Sequence, residues 1–168
     1  MIKIEKVKAN RQLKNFTCGP ASLRTVFRFY GINVAERDLI DDADIEEDGT
    51  SHDQMKLLAH KYGFTFYSKS NATIEDLKKY LFRNNPVIVD YQLGANNGDN
   101  GHYSVLYGID DEYVYLADPS NYIEGDNKKF SSDTKIQIDK FLENWWDPDD
   151  NKNETRRWLA VLKLKKKK

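Results

Sequence analysis

Gly101-His102-Tyr103-Ser104-Val105-Leu106-Tyr107-Gly108-Ile109, then Asp110-Asp111-Glu112, then Tyr113-Val114-Tyr115-Leu116-Ala117-Asp118-Pro119 is the stretch that decides the fold. Two runs rich in β-branched and aromatic residues flank an acidic turn, which predicts an antiparallel hairpin. Working outward, Pro86-Val87-Ile88-Val89-Asp90-Tyr91 is a third β-rich run, Leu93 to Gly101 is a Gly/Asn/Asp loop, and Trp158-Leu159-Ala160-Val161-Leu162 reads as a closing strand. The first half has a different period. Leu23, Val26, Phe27 and Tyr30 fall at helical spacing over residues 18 to 31, with Gly31 suited to end the helix. A short helix is expected at 35 to 41. Ser51-His52-Asp53-Gln54 has the form of a capping box for a third helix ending near Gly63, Phe64-Thr65-Phe66-Tyr67 alternates as a strand, and Thr73-Ile74-Glu75-Asp76 opens a helix carrying Leu77, Tyr80 and Leu81. Helices first and antiparallel strands second predict an α+β fold.

Composition narrows the function. At 168 residues one compact domain is expected, and 10 Tyr, 8 Phe and 3 Trp supply buriable area that disordered chains lack. A net charge of -1 gives no global basic field for nucleic acid, so no nucleic-acid partner is expected. No apolar run is long enough for a membrane span, and Met1-Ile2-Lys3-Ile4-Glu5-Lys6 does not open a signal peptide, so the expected location is cytoplasmic. The single cysteine, Cys18, cannot form an internal disulfide or a CxxC motif.

Cys18-Gly19-Pro20 opens the first helix, where the helix terminus favours a thiolate and the first-turn amides point outward as donors. A small cysteine is also a common core residue, and position alone leaves both readings open. The hairpin adds a second observation. A three-residue turn at 110 to 112 pairs position 118 with position 104 and makes His102 and Asp118 diagonal neighbours on one face, roughly 7 Å apart at the backbone. Cys18, His102 and Asp118 are then the residue types of a nucleophile, its base and the group that orients the base. The structural alternative makes His102 a loop-end histidine and Asp118-Pro119 a strand terminator.

Gln12-Leu13-Lys14-Asn15-Phe16-Thr17-Cys18-Gly19-Pro20-Ala21-Ser22-Leu23 resembles the active-site segment of the bacteriocin-processing, double-glycine leader cysteine peptidases of the papain-like clan, and the His102 and Asp118 strands resemble that family's histidine and aspartate strands. The resemblance spans roughly residues 5 to 120. It implies a papain-like fold, a helical lobe on an antiparallel sheet; one such domain over 1 to 168 is expected, with a C-terminal helix and strand in 121 to 164 completing the sheet and 165 to 168 a basic tail. It further implies Cys18 as nucleophile, His102 as general base and then acid, Asp118 as orienting carboxylate, and Gln12 as side-chain oxyanion donor. The expected activity is thiol-dependent hydrolysis of peptide bonds in a peptide or protein substrate, with no cofactor. An amidase or acyl transferase built on the same thioester, and a non-catalytic peptide-binding module, are the alternatives. Thr17 stands where many members carry an acid, and Ser104 where members often carry an apolar residue. The best-known members are domains of peptide-exporting ABC transporters; this chain has no membrane span or ATPase, so association with a separate transporter stays open and cleavage after Gly-Gly does not simply carry over.

Other signals carry less. His52 and His60 with Asp53 lack a completing ligand, so no metal is expected. The acidic residues Asp41, Asp42, Asp44, Glu46, Glu47 and Asp48 lack EF-hand spacing, and Lys165 to Lys168 read as a solvated tail. Trp145, Trp146 and Trp158 read as packing for a C-terminal helix and strand, with an aromatic shelf beside the cleft as the alternative.

Overall fold

The computed structural model describes residues 1–92, 101–120, 133–148 and 154–167. Of the loop expected at 93–101, residues 93–100 lie outside the described residues and Gly101 opens a strand. The elements run β1 (Ile2–Lys3), α1 (Cys18–Phe29), α2 (Glu36–Asp42), α3 (His52–Lys61), β2 (Phe64–Lys69), α4 (Ile74–Phe82), β3 (Val87–Gln92), β4 (Gly101–Ile109), β5 (Tyr113–Ala117), β6 (Asp133–Gln137), α5 (Ile138–Asn144), β7 (Trp146–Pro148), β8 (Glu154–Arg156) and β9 (Leu159–Leu164). This is the α+β arrangement the hairpin and the upstream helical periods predict.

The helices start and stop where local chemistry tells them to. Ser51 Oγ accepts from the Gln54 amide at 3.1 Å while Gln54 Oε1 accepts from the Ser51 amide at 2.8 Å, a complete capping box, and Thr73 with Asp76 repeats it for α4. α1 ends on Gly31 at φ +80°, with the Gly31 amide on the Arg28 carbonyl at 3.0 Å and the Ile32 amide on the Phe27 carbonyl at 2.9 Å. That paired closure needs a left-handed residue, which glycine adopts without strain.

Seven strands form one sheet in the order β2-β9-β3-β4-β5-β6, with β1 pairing β4, and β7 and β8 form a separate pair. The strand expected to close the sheet is interior: β9 pairs β2 on one side and β3 on the other, all antiparallel. Its residues Leu159 to Leu162 are buried, as a strand covered on both faces requires. Packing extends over both faces. Phe27 of α1 stacks on Phe64 of β2 at 4.6 Å between ring centroids, and Phe141 of α5 packs at 6.0 Å from Tyr91 of β3.

The β4–β5 register departs from the expected turn and then recovers. The turn is one residue longer than expected, since Ile109 pairs Val114, and Asp110 Oδ1 accepts from the Glu112 and Tyr113 amides at 2.9 and 2.7 Å. A bulge at Tyr107 then takes up one residue, so that Leu106 pairs Leu116 and Val105 pairs Ala117. Continuing the ladder sets Ser104 level with Asp118. Without the bulge, the slip of one residue would turn Asp118 to the other face.

Candidate active site

The register decides which side chains meet. Tyr91 pairs His102 and Val89 pairs Ser104, so Tyr91, His102, Ser104 and Asp118 share one face of the sheet, while Asp90, paired with Tyr103, lies on the other. On the first face His102 Nε2 is 2.7 Å from Asp118 Oδ1, both residues being at most 4% exposed. The Ser120 amide and hydroxyl each donate to the same oxygen at 2.8 Å, so the Asp118-Pro119-Ser120 turn fixes the carboxylate locally. With Nε2 taken, Nδ1 is the ring nitrogen left for the Cys18 thiol, which is the other side-chain hydrogen-bond partner of His102. Burial works against a charged ring here, but Asp118 and Cys18 outweigh it and hold the His102 pKa up at about 10. Burial likewise opposes the Asp118 carboxylate, and His102 with Ser120 outweighs it, lowering its pKa.

Cys18 is the first residue of α1. Thr17, in the N-cap position, does not cap the helix: its hydroxyl accepts from the Lys14 amide and donates to the Lys14 carbonyl, both at 3.0 Å. The first helical turn also lacks an acidic side chain, so its amides keep their donor capacity beside the thiol. Cys18 is only 8% exposed and belongs to the hydrophobic core. The two readings of this cysteine therefore describe one residue, buried and yet partnered by an imidazole. A thiol facing an imidazole that a carboxylate holds is the arrangement that makes sulfur nucleophilic.

Gln12 reaches this neighbourhood through its backbone, whose amide donates to the Pro119 carbonyl at 3.0 Å. Its side-chain Nε2 donates to the Lys14 carbonyl at 2.6 Å, and its Oε1 is buried without a partner. Two groups of residues escaped the reading of the sequence. Tyr91 places its hydroxyl 3.4 Å from Asp118 Oδ2 and 3.3 Å from Ser104 Oγ; the unexpected serine in the His102 strand was the one signal for it. On the opposite face His52 Nε2 is 2.9 Å from Asp90 Oδ2, and the His52 ring stacks on Trp158 at 4.0 Å. His52 thus turns to a strand carboxylate and not to Asp53 or His60, the latter about 12 Å further along the helix axis. Asp147 completes this second group: burial, then the Asp90 charge and hydrogen bond, push its pKa up to about 8, and Gln92 Nε2 donates to its Oδ1 at 2.6 Å. Among the described residues no group of His, Cys, Asp and Glu is arranged to hold a metal ion. Trp145 and Trp158 are buried, and Trp145 Nε1 donates to the Trp158 carbonyl at 2.8 Å, so both pack the C-terminal segment.

Comparison with known proteins bears on the family and the fold. An uncharacterized protein of Methanothermobacter marburgensis is 34% identical over 110 residues, covering 66% of this chain and 70% of that protein. The peptidase domain of Streptococcus ComA, a bi-functional ABC transporter involved in a quorum sensing pathway, superposes with a TM-score of 0.73 at 22% identity, over 95% of this chain and 99% of that one. A double glycine motif protease from an AMS/PCAT transporter, solved with the leader peptide, superposes with a TM-score of 0.67 at 21% identity, over 98% and 99%. Among the described residues no helix is long and apolar enough to cross a membrane. Residues 6–146 match the model of the Peptidase C39 family, and with a papain-like fold beneath that match, the chain belongs to this family and is a cysteine peptidase.

Proposed function

We propose that this chain cleaves peptide bonds through a triad of Cys18, His102 and Asp118, with Gln12 as an oxyanion donor, and that its substrate is a peptide carrying a leader segment. The observation that carries the reading is the buried 2.7 Å contact between His102 Nε2 and Asp118 Oδ1, on a ring whose other partner is Cys18. In the reaction the Cys18 thiolate attacks the carbonyl carbon and forms a C–S bond, while the carbonyl electron pair moves onto oxygen. The first-turn amides of α1 and the Gln12 side chain stabilise that oxyanion. Protonated His102 then gives its proton to the leaving amine, the C–N bond breaks, and the same ring removes a proton from the water that resolves the thioester. Asp118 stays ionised throughout and holds the ring in the tautomer and orientation that each transfer needs.

The leader-peptide substrate rests on the two solved relatives, one described as a double glycine motif protease bound to the leader peptide and the other as part of a bi-functional transporter. By the same likeness we place the chain in the cytoplasm, where its single thiol stays reduced, working together with a peptide transporter. Synthetic peptides with a double-glycine junction test the reading. Wild-type protein is expected to release both halves, Cys18→Ala to release none while unfolding at the same temperature, and His102→Ala to be slower by about 10² to 10⁴. Undiminished turnover by Cys18→Ala would sink the assignment. Capture of the acyl group by added amines in preference to water would make the enzyme a transferase.

A further inference from the structure

We infer that Tyr91, held in place by Ser104, is a positioning residue that fixes the second oxygen of Asp118 and so sets the orientation of the His102 ring. This rests on the triad proposed above and adds residues to it.

The two oxygens of Asp118 are served unequally. Oδ1 receives His102 Nε2 at 2.7 Å and the Ser120 amide and hydroxyl at 2.8 Å each. Oδ2 has one donor among the described residues, the Tyr91 hydroxyl at 3.4 Å. The bonds to Oδ1 fix one end of the carboxylate; a donor on Oδ2 holds the other, so that any turn about the last torsion strains bonds at both oxygens and the imidazole seat is stiffened. Tyr91 itself is oriented from two sides. Its hydroxyl lies 3.3 Å from Ser104 Oγ, so the serine donates to the phenol while the phenol donates to the carboxylate. Its ring meets the His102 ring edge-on at 5.7 Å and 76°, and packs against Phe141, which in turn stacks on Trp145 at 5.0 Å. Burial, followed by the nearby Asp118 charge, keeps the phenol protonated, as a donor must be. The charged and polar groups facing this hydroxyl are Asp118, Ser104, His102 and Cys18.

The serine thereby gains a reason. An apolar residue at position 104 would leave the Tyr91 hydroxyl without a donor in a buried site, and a phenylalanine at 91 would leave Oδ2 bare. The pair belongs together on one face of two adjacent strands, since Val89 pairs Ser104 and Tyr91 pairs His102.

The test removes one hydroxyl at a time and reads the thiol directly. Rates of Cys18 alkylation by iodoacetamide are followed from pH 4 to 9 for the wild type, Tyr91→Phe and Ser104→Ala, beside kcat and KM on a cleaved peptide and a thermal melt of each protein. Losing a donor on Oδ2 raises the pKa of the Asp118 carboxyl, so the acid limb of labelling in Tyr91→Phe moves to higher pH. A fall of about tenfold in kcat with KM unchanged is expected alongside, and Ser104→Ala moves both quantities the same way by less. If wild-type labelling persists to low pH and the Tyr91→Phe profile superimposes on it, Tyr91 is only core and the inference is overturned while the triad stands. If wild-type Cys18 titrates as an isolated thiol, the triad fails and the inference fails with it.

Discussion

At the scale of single residues, the site combines groups that a sequence shows with groups that only a fold can bring together. Gln12 is the sharpest case. Its amide nitrogen is occupied by the Lys14 carbonyl at 2.6 Å and its Oε1 is buried without a donor, so the side chain is held only in part in the free protein. A tetrahedral oxyanion offers the NH₂ group a charged acceptor, and the gain arises in the transition state and not in the bound substrate. Gln12→Ala is therefore expected to lower kcat by about 10² to 10³ with KM nearly constant. Steady-state kinetics on a cleaved peptide read this, and a rise in KM at constant kcat would instead make Gln12 a substrate-binding residue. Cys18 and His102 were legible because their surroundings are local: a helix start and a strand end. Tyr91 was not, because its partners Ser104 and Asp118 lie 13 and 27 positions away and meet it only through the strand register.

At the scale of elements, β7 is fastened to the β3–β4 pair by a proton. Asp90 Oδ1 is buried without a hydrogen-bond donor, and Asp147 of β7, its hydrogen-bonding neighbour, keeps its proton up to about pH 8 and can supply one. Gly101 brings its backbone against this carboxyl: a Cβ there would collide with the Asp147 carboxylate where it stands. Between the ordinary carboxylate range, near 4, and about 8, the folded chain holds a proton that the unfolded chain has released. Stability from this pair is thus fully present below about pH 4 and is lost as the pH rises through about 8. Asp147→Asn keeps a donor for Asp90 and an acceptor for Gln92 without a titrating group. Urea unfolding at several pH values is expected to show a shallower decline from pH 5 to 9 than in the wild type, and greater stability than the wild type at pH 9. Parallel curves would mean that Asp147 is ionised in the folded chain. The element boundaries were readable from caps and glycines because those signals are short-range. The register of the hairpin was reached through two offsetting departures, a longer turn and the Tyr107 bulge, neither of which the length of the acidic run shows.

At the scale of the whole molecule, the question is how much chain the site needs. The resemblance in the sequence runs from about residue 5 to 120 and the family match covers 6–146, yet β9 begins at Leu159 and lies between β2 and β3. The strand itself is legible and its place in the order is not, because nothing in Leu159-Ala160-Val161-Leu162 says which two strands it divides. The position has an energetic consequence. Trp158, Leu159, Ala160, Val161 and Leu162 are all buried, and Trp158 also carries the His52 ring and takes the Trp145 hydrogen bond. At roughly 1.5 to 3 kcal/mol for each large apolar side chain, their loss approaches about 10 kcal/mol before the exposed edges of β2 and β3 are counted. A domain of ordinary stability has only about 5 to 15 kcal/mol to lose. A chain ended at Trp146 is therefore expected to lose cooperative unfolding and near-ultraviolet dichroism, and with them peptide cleavage, although Cys18, His102, Asp118 and Gln12 are all retained. Denaturant titration of the shortened protein decides it. A single sharp transition with activity intact would show that the region of family likeness folds alone and that β9 is an addition to the domain; a broad, featureless transition makes the chain to Leu164 the smallest unit that can hold the site together.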